Sequence, residues 1–86
     1  MTIKGTIQGQ GFNYKSFKGQ KNQQETKDFL VSYQDGNYSK QVVLTAWNQT
    51  IAEMENAIGE KTFSIEPTSR EYQGKYYTSI KVWRVS

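Results

Sequence analysis

Hydrophobic and polar residues alternate along most of this chain, and the alternation breaks once. In TIKGTIQG, Ile3, Gly5 and Ile7 fall on one side and Thr2, Lys4 and Thr6 on the other, the two-residue period of a half-buried strand. Gly5 within the inner row predicts a bend or bulge where the sheet curls. Residues 9–24 (GQGFNYKSFKGQKNQQ) are rich in Gly, Gln and Lys but carry Phe12, Tyr14 and Phe17. A structureless segment of that length is rare in a compact domain, so the first strand is expected to run into it and turn at a mobile tip near Gly19. ETKDFLVSY is a second strand, with Phe29, Val31 and Tyr33 on one side. QDGN (34–37) turns it back, because Asp-Gly tolerates the positive φ of tight hairpins. YSKQVVLTAW (38–47) is the third strand, with Val42, Leu44 and Ala46 inward and Val43, Thr45 and Trp47 outward.

The period then changes. In NQTIAEMENAIG, Ile51, Met54 and Ile58 recur at helical spacing, and Gly59 stands where a helix end favours glycine. Thr50 and Glu53 fit a capping box, with Asn48 the alternative N-cap. The expected helix is about three turns long, with an apolar stripe for the core and an acidic outer face. EKTFSIEPTSREY resumes strand, with Phe63 and Ile65 inward; Pro67 cannot donate to a ladder and marks a bulge or a free edge. QGK (73–75) turns tightly into YYTSIKVWRV, whose inner row is Thr78, Ile80 and Val82 and whose outer row is Tyr77, Ser79, Lys81 and Trp83. The order is β-β-β-α-β-β: a three-strand meander, a helix and a closing hairpin. That is the order of an OB-fold, a five-stranded Greek-key barrel, all-β with one short helix. An SH3-like barrel lacks a substantial helix at that point.

Composition narrows the function. The 86 residues leave room for a single domain, residues 1–86, with a modest core. Aromatics make up 14%, a share that disordered chains lack. Lys plus Arg number 11 and Asp plus Glu 8, a net charge of +3, and placement says more than the sum. Lys4, Lys15, Lys18 and Lys21 all precede the first acid, whereas Glu53, Glu55 and Glu60 share a stretch without a base. Such polarity gives a small domain a preferred side for a polyanion, although two solvated faces explain it equally. Cysteine is absent, so disulfides and thiol chemistry are excluded, which suits a reducing compartment. No apolar run approaches membrane-spanning length, and MTIKGTIQGQ has no hydrophobic signal segment. The expectation is a soluble cytoplasmic protein with no membrane partner.

From the third strand onward the chain resembles a known family. VVLTAWNQTI and IEPTSREYQGKYYTSIKVWRV, with the helix between them, look like a group of small single-domain OB-fold proteins of bacteria and phages. That group was long catalogued as a domain of unknown function and is similar to single-stranded DNA-binding proteins. The shared features are a strand ending in Thr-x-Trp (Thr45, Trp47), a helix, then Ser69, Arg70, Glu71, Tyr72, Gly74, Tyr76, Tyr77 and Thr78 before a strand carrying Trp83. KDFLVSY fits the second strand. The likeness covers residues 26–86 well and the first strand loosely. There the family has an aromatic about where Gln24 stands, and this chain has Phe12, Tyr14 and Phe17 earlier instead. The resemblance implies single-stranded DNA binding in replication or recombination, in the host cytoplasm if the protein is phage-encoded.

Binding unpaired strands without regard to sequence takes cations along the backbone path and exposed rings on which bases stack, worth on the order of 1–3 kcal/mol per base. An OB-fold presents such groups on its strand 2–3 face and on the loops joining strands 1–2 and 4–5. All three places carry them here. The first loop has Phe12, Tyr14, Lys15, Phe17, Lys18 and Lys21, and the outer row of strand 3 ends in Trp47. The last hairpin has Arg70, Tyr72, Lys75, Tyr76 and Tyr77, while Lys27 and Lys40 extend the track on neighbouring strands. Each also has a structural alternative. Trp47 would seal the barrel against the helix, and Trp83 would lie under the first loop or in a subunit contact. Tyr72 and Tyr76 would pair across the hairpin, and Phe12, Tyr14 and Phe17 would latch the loop onto the barrel.

Catalysis has little to work with. The chain has no His to shuttle protons, no His/Cys set for zinc, no clustered carboxylates and no GxxxxGK phosphate loop. The expectation is a non-enzyme with no catalytic residues, no metal and no cofactor, whose partner is single-stranded DNA, with RNA the open alternative. The competing reading is a protein-interaction OB module, an accessory subunit whose aromatics bury in another protein. One OB domain covers a handful of nucleotides, so useful affinity suggests a homodimer or a larger homo-oligomer, or cooperative coating.

Overall fold

The computed structural model describes residues 1–19 and 21–86, and of Arg70 the backbone alone. The elements follow in the expected order: β1 (Thr2–Lys18), β2 (Gln23–Asp35), β3 (Tyr38–Trp47), α1 (Gln49–Glu55), β4 (Glu60–Tyr72) and β5 (Lys75–Val85). The strands close a barrel in the order β1-β2-β3-β5-β4, with β4 returning to β1. Neighbours are antiparallel except β3 and β5, which run parallel where Thr45 meets Lys81 and Ala46 meets Val82. This is an OB-fold.

Alternation fills the interior. Phe29, Val31, Leu44, Ala46, Phe63, Ile65 and Val82 are buried, each from the inner row of its strand, and Ile51 and Met54 of α1 join the same core. Burying one such side chain stabilises by about 1.5–3 kcal/mol. Gly5 pairs with Tyr33 on β2 and Lys61 on β4 at once. A Cβ there would fall on the Ser32 carbonyl oxygen and come within 2.9 Å of Val31 Cγ1. Its lack of a side chain lets β1 cross β2 closely as the sheet curls. No helix of the described chain is long and apolar enough to cross a membrane.

The helix is shorter than its apolar spacing predicts. It ends at Glu55, with Asn56 as C-cap, and Ile58 is 86% exposed rather than in the core. Ile51 and Met54 already supply the helix's buried face, and the chain must reverse through Gly59 (φ 76°) to enter β4 at Glu60. The capping box is not formed either: the N-cap is Asn48, and it makes no side-chain cap bond. Asn48 takes φ 52°, its Oδ1 accepts from the Glu25 amide at 2.9 Å, and its Nδ2 donates to Gln24 Oε1 at 2.7 Å. A side chain that looked like a helix cap is a clamp between the helix start and β2.

Two hairpins extend from the barrel. β1 runs through Lys18 rather than dissolving into a loop, with register shifts on either side of Phe12. The turn beyond it, expected to be mobile near Gly19, includes Gln20, which lies outside the described residues. β4 and β5 pair as far as Tyr72 and Lys75, joined by Gln73 (φ 52°) and Gly74 (φ 77°), the two positive φ values of a type I′ turn. The β1 ladder on β4 ends at Ser64, with one further bond from the Ile65 amide to the Met1 carbonyl at 2.9 Å, so Pro67 stands where that outer edge is free. Because this hairpin outruns the barrel, Thr78 is exposed and not part of an inner row. A bulge between Ser64 and Ile65 shifts the phase of β5, turning both Trp83 and Arg84 outward while Val82 is buried and Val85 half-buried. Trp83 is 53% exposed and does not lie under the first loop.

Candidate nucleic-acid interface

Strand pairing assembles the site. Residues directly opposite in an antiparallel ladder project to the same side, so Trp47 shares a face with Thr26, and Thr26 with Lys15. Two residues along, Thr45 stands opposite Asp28, and Phe17 stands opposite Gln24. Lys81 of β5 lies beside Thr45, and the period of two carries Ser79 and Tyr77 on the same side of that strand. Together they line a groove of about 730 Å³ that takes in Lys15, Phe17, Trp47, Tyr77 and Lys81. Its polar lining includes Asn13, Asp28 and Thr45.

Phe17 meets Trp47 edge to face, centroids 5.7 Å apart and planes at 88°. The Lys81 ammonium sits 5.8 Å from the Trp47 ring centroid, within cation–π range. Ala46 turns into the core, so Trp47 turns into the groove, where it stays half-buried. Phe17 and Tyr77 keep 43% and 56% of their surface exposed. Among the described residues neither Lys15 nor Lys81 is in an ion pair. The groove thus combines rings with accessible faces and cations whose charge is not already neutralised. On its floor Thr45 Oγ1 donates to Asp28 Oδ1 at 2.7 Å, and Asn13 Nδ2 donates to Asp28 Oδ2 at 3.2 Å.

A family described as Domain of unknown function (DUF3127) has a model that matches residues 2–86. The chain belongs to this family. Among solved structures, this DUF3127 protein is similar to the SSB domain of a protein from Synechococcus sp.. The likeness covers 99% of this chain and 90% of that one, with a TM-score of 0.65 and 14% identity. At that identity it speaks for the fold. A search of curated proteins finds no match.

The remaining candidate residues fall elsewhere on the DUF3127 barrel. Tyr14 lies on the other side of the β1–β2 hairpin, where its hydroxyl donates to Glu25 Oε1; that bond to a carboxylate raises the phenol's pKa above its ordinary value. Phe12 is 40% exposed at the register shift, and Lys18 and Lys21 are exposed near the hairpin tip. None of the three lines the groove. Phe12, Tyr14 and Phe17 do not fold together as one apolar latch: Phe17 meets Trp47 on β3, whereas Tyr14 lies on the other side of the hairpin. Lys27 turns to the helix side and pairs with Glu55 at 3.0 Å. Lys40 pairs with Asp35 at 2.6 Å beside the β2–β3 turn, and this contact raises the lysine's pKa and lowers the aspartate's. Both ammonium groups are therefore committed to carboxylates outside the groove. Tyr72 and Lys75 pair at the β4–β5 tip, while Tyr76 stands opposite Glu71 on the reverse side from Tyr77. Arg70 is opposite Tyr77 in the ladder, but its side chain lies outside the described residues.

The groove also takes in residues that were not among the candidates, Asn13, Asp28, Thr45 and Lys81 among them. Lys81 was legible, since it lies in the same outer row as Tyr77 and Ser79. Thr45 was visible as the first member of Thr-x-Trp, and the spacing of two now has a reason: it puts both side chains into one groove. Asn13 carried no signal, because a register shift between Phe12 and Lys15, with its own φ at 54°, decides where it points; Asp28 follows from alternation on β2, outward beside Phe29 and opposite Thr45. Among the described residues no group of three or more His, Cys, Asp or Glu side chains gathers to hold a metal.

Proposed function

We propose that this protein binds single-stranded DNA, largely without regard to sequence, and coats exposed strands during replication or recombination as a cytoplasmic non-enzyme. One observation carries the reading: Phe17, Trp47 and Tyr77 converge with Lys15 and Lys81 in a single groove made by two hairpins and the β2–β3 face. Bases stack on rings whatever their identity, and phosphates attract ammonium groups whatever the sequence, so this pairing recognises unpaired strands in general. The likeness to an SSB domain structure supports the same reading. A groove on so small a domain accommodates few nucleotides, so the working form is a homodimer or larger homo-oligomer, or a cooperative array.

Titration with oligo(dT) at stepped salt concentrations tests this. Tryptophan fluorescence should change on binding, and log Kd should rise with log salt by roughly 0.7 per phosphate neutralised. A protein-interaction module would leave the fluorescence unchanged at low salt, and that result would remove the proposal.

A further inference from the structure

Asp28 is out of place in a groove for a polyanion. It is half-buried on the β2–β3 face, and its two carboxylate oxygens are each held by one neutral donor: Oδ1 by Thr45 Oγ1, Oδ2 by Asn13 Nδ2. No ammonium group pairs with it among the described residues. The nearest route for phosphates is therefore past Lys15 and Lys81, which line the same groove, and not across Asp28, where like charges repel. A strand so placed turns its bases toward the floor.

A carboxylate only accepts, and each oxygen has about two lone-pair sites. Thr45 and Asn13 occupy one on each and fix the orientation of the group, leaving acceptor capacity on both oxygens of one carboxylate. Asn13 is held at its post by a left-handed backbone, φ 54°, a conformation that is uncommon outside glycine and is kept where the surroundings require it. What matches two adjacent acceptors is two adjacent donors. Among the bases, guanine alone presents them, N1–H and N2–H on its Watson–Crick edge. Adenine and cytosine present a single amino group next to an acceptor. Thymine places N3–H between two carbonyl oxygens that the carboxylate repels. Edges of this kind are what proteins read on unpaired bases.

We infer that Asp28, oriented by Thr45 and Asn13, reads the Watson–Crick edge of one base in the groove and selects guanine over thymine there. The inference rests on the strand-binding reading of this groove and adds a base preference at one position. Bonds to an ionised group are among the stronger ones, and a bidentate pair discriminates by a factor on the order of 5 to 150.

The test compares d(TG) repeats, d(TI) repeats with deoxyinosine for deoxyguanosine, and oligo(dT), all of equal length and at one salt concentration, by fluorescence anisotropy. Deoxyinosine lacks only the N2 amino group, so the comparison needs no change to the protein. The expected result is tightest binding of d(TG), weaker binding of d(TI) and weakest of oligo(dT). Asp28→Asn, which replaces an acceptor by a donor and removes the charge that repels thymine's carbonyl oxygens, should erase the gap by weakening d(TG) binding and strengthening oligo(dT) binding; thermal melting confirms that the variant is folded. Equal affinity of the unmodified protein for d(TG) and oligo(dT), or for d(TG) and d(TI), overturns the inference and leaves strand binding standing. So does a gap that survives in Asp28→Asn. If none of the three oligonucleotides binds, the strand-binding reading itself fails.

Discussion

Phe17→Ala tests whether the groove's rings stack on bases. Phe17 sits on the β1–β2 hairpin beyond the barrel, is 43% exposed, and touches the groove's tryptophan only edge-on at 5.7 Å. Losing that aromatic contact costs about 0.5–1.5 kcal/mol of stability beyond the loss of the half of the ring's surface that is covered. In a domain of this size each kcal/mol moves Tm by roughly 4–8 °C, so the lost aromatic contact alone lowers Tm by about 2–12 °C and the variant should still melt cooperatively. Removing a stacking platform costs on the order of 1–3 kcal/mol of binding, a 5- to 150-fold rise in Kd. The assay is Trp47 fluorescence during oligo(dT) titration, made in a Trp83→Phe background because Trp83 faces solvent away from the groove. Circular dichroism melts run on the same samples. A Kd unchanged by Phe17→Ala would refute the claim that the groove's rings stack on bases. A large fall in Tm would instead assign Phe17 a structural role that its exposure argues against.

Three further outcomes follow from the geometry. Lys15→Ala and Lys81→Ala should each flatten the log–log salt dependence of binding by about 0.7, whereas Lys40→Ala, whose ammonium is already paired with Asp35, should leave it unchanged. The Tyr14 phenol should ionise above the ordinary tyrosine pKa, because its protonated form donates to Glu25. Since folding raises that pKa, the bond's contribution is complete at neutral pH and is lost as pH rises through the folded-state value. Glu25→Gln should bring the ultraviolet phenolate titration back toward normal. Gly5→Ala should destabilise the fold by roughly 1–3 kcal/mol, read as a lower melting temperature, since its methyl would meet the Ser32 carbonyl and Val31; an unchanged Tm would show that β1 can move away.

Alternating residues and one change of period were enough to establish the element order, the barrel and most of its inner rows. The reason is local: a strand that buries one face must place apolar groups at every second position, and Phe29, Val31, Leu44, Ala46, Phe63 and Val82 do so. The same local logic identified which types of residue a strand-binding groove needs, and put Lys15, Phe17, Trp47 and Tyr77 among the candidates. Which of the candidates meet was decided by pairing register and bulges, quantities that depend on two segments at once. Cross-strand register brings Lys15, Phe17 and Trp47 to one side and sends Tyr14 to the other. A bulge at Ser64/Ile65 turns Trp83 away, and ion pairs across elements commit Lys27 and Lys40 to Glu55 and Asp35. The helix likewise stops when Ile51 and Met54 have joined the core, not where its apolar spacing runs out. Composition and period are properties of one segment and can be read along the chain. The company a side chain keeps is set only when distant segments close into a barrel.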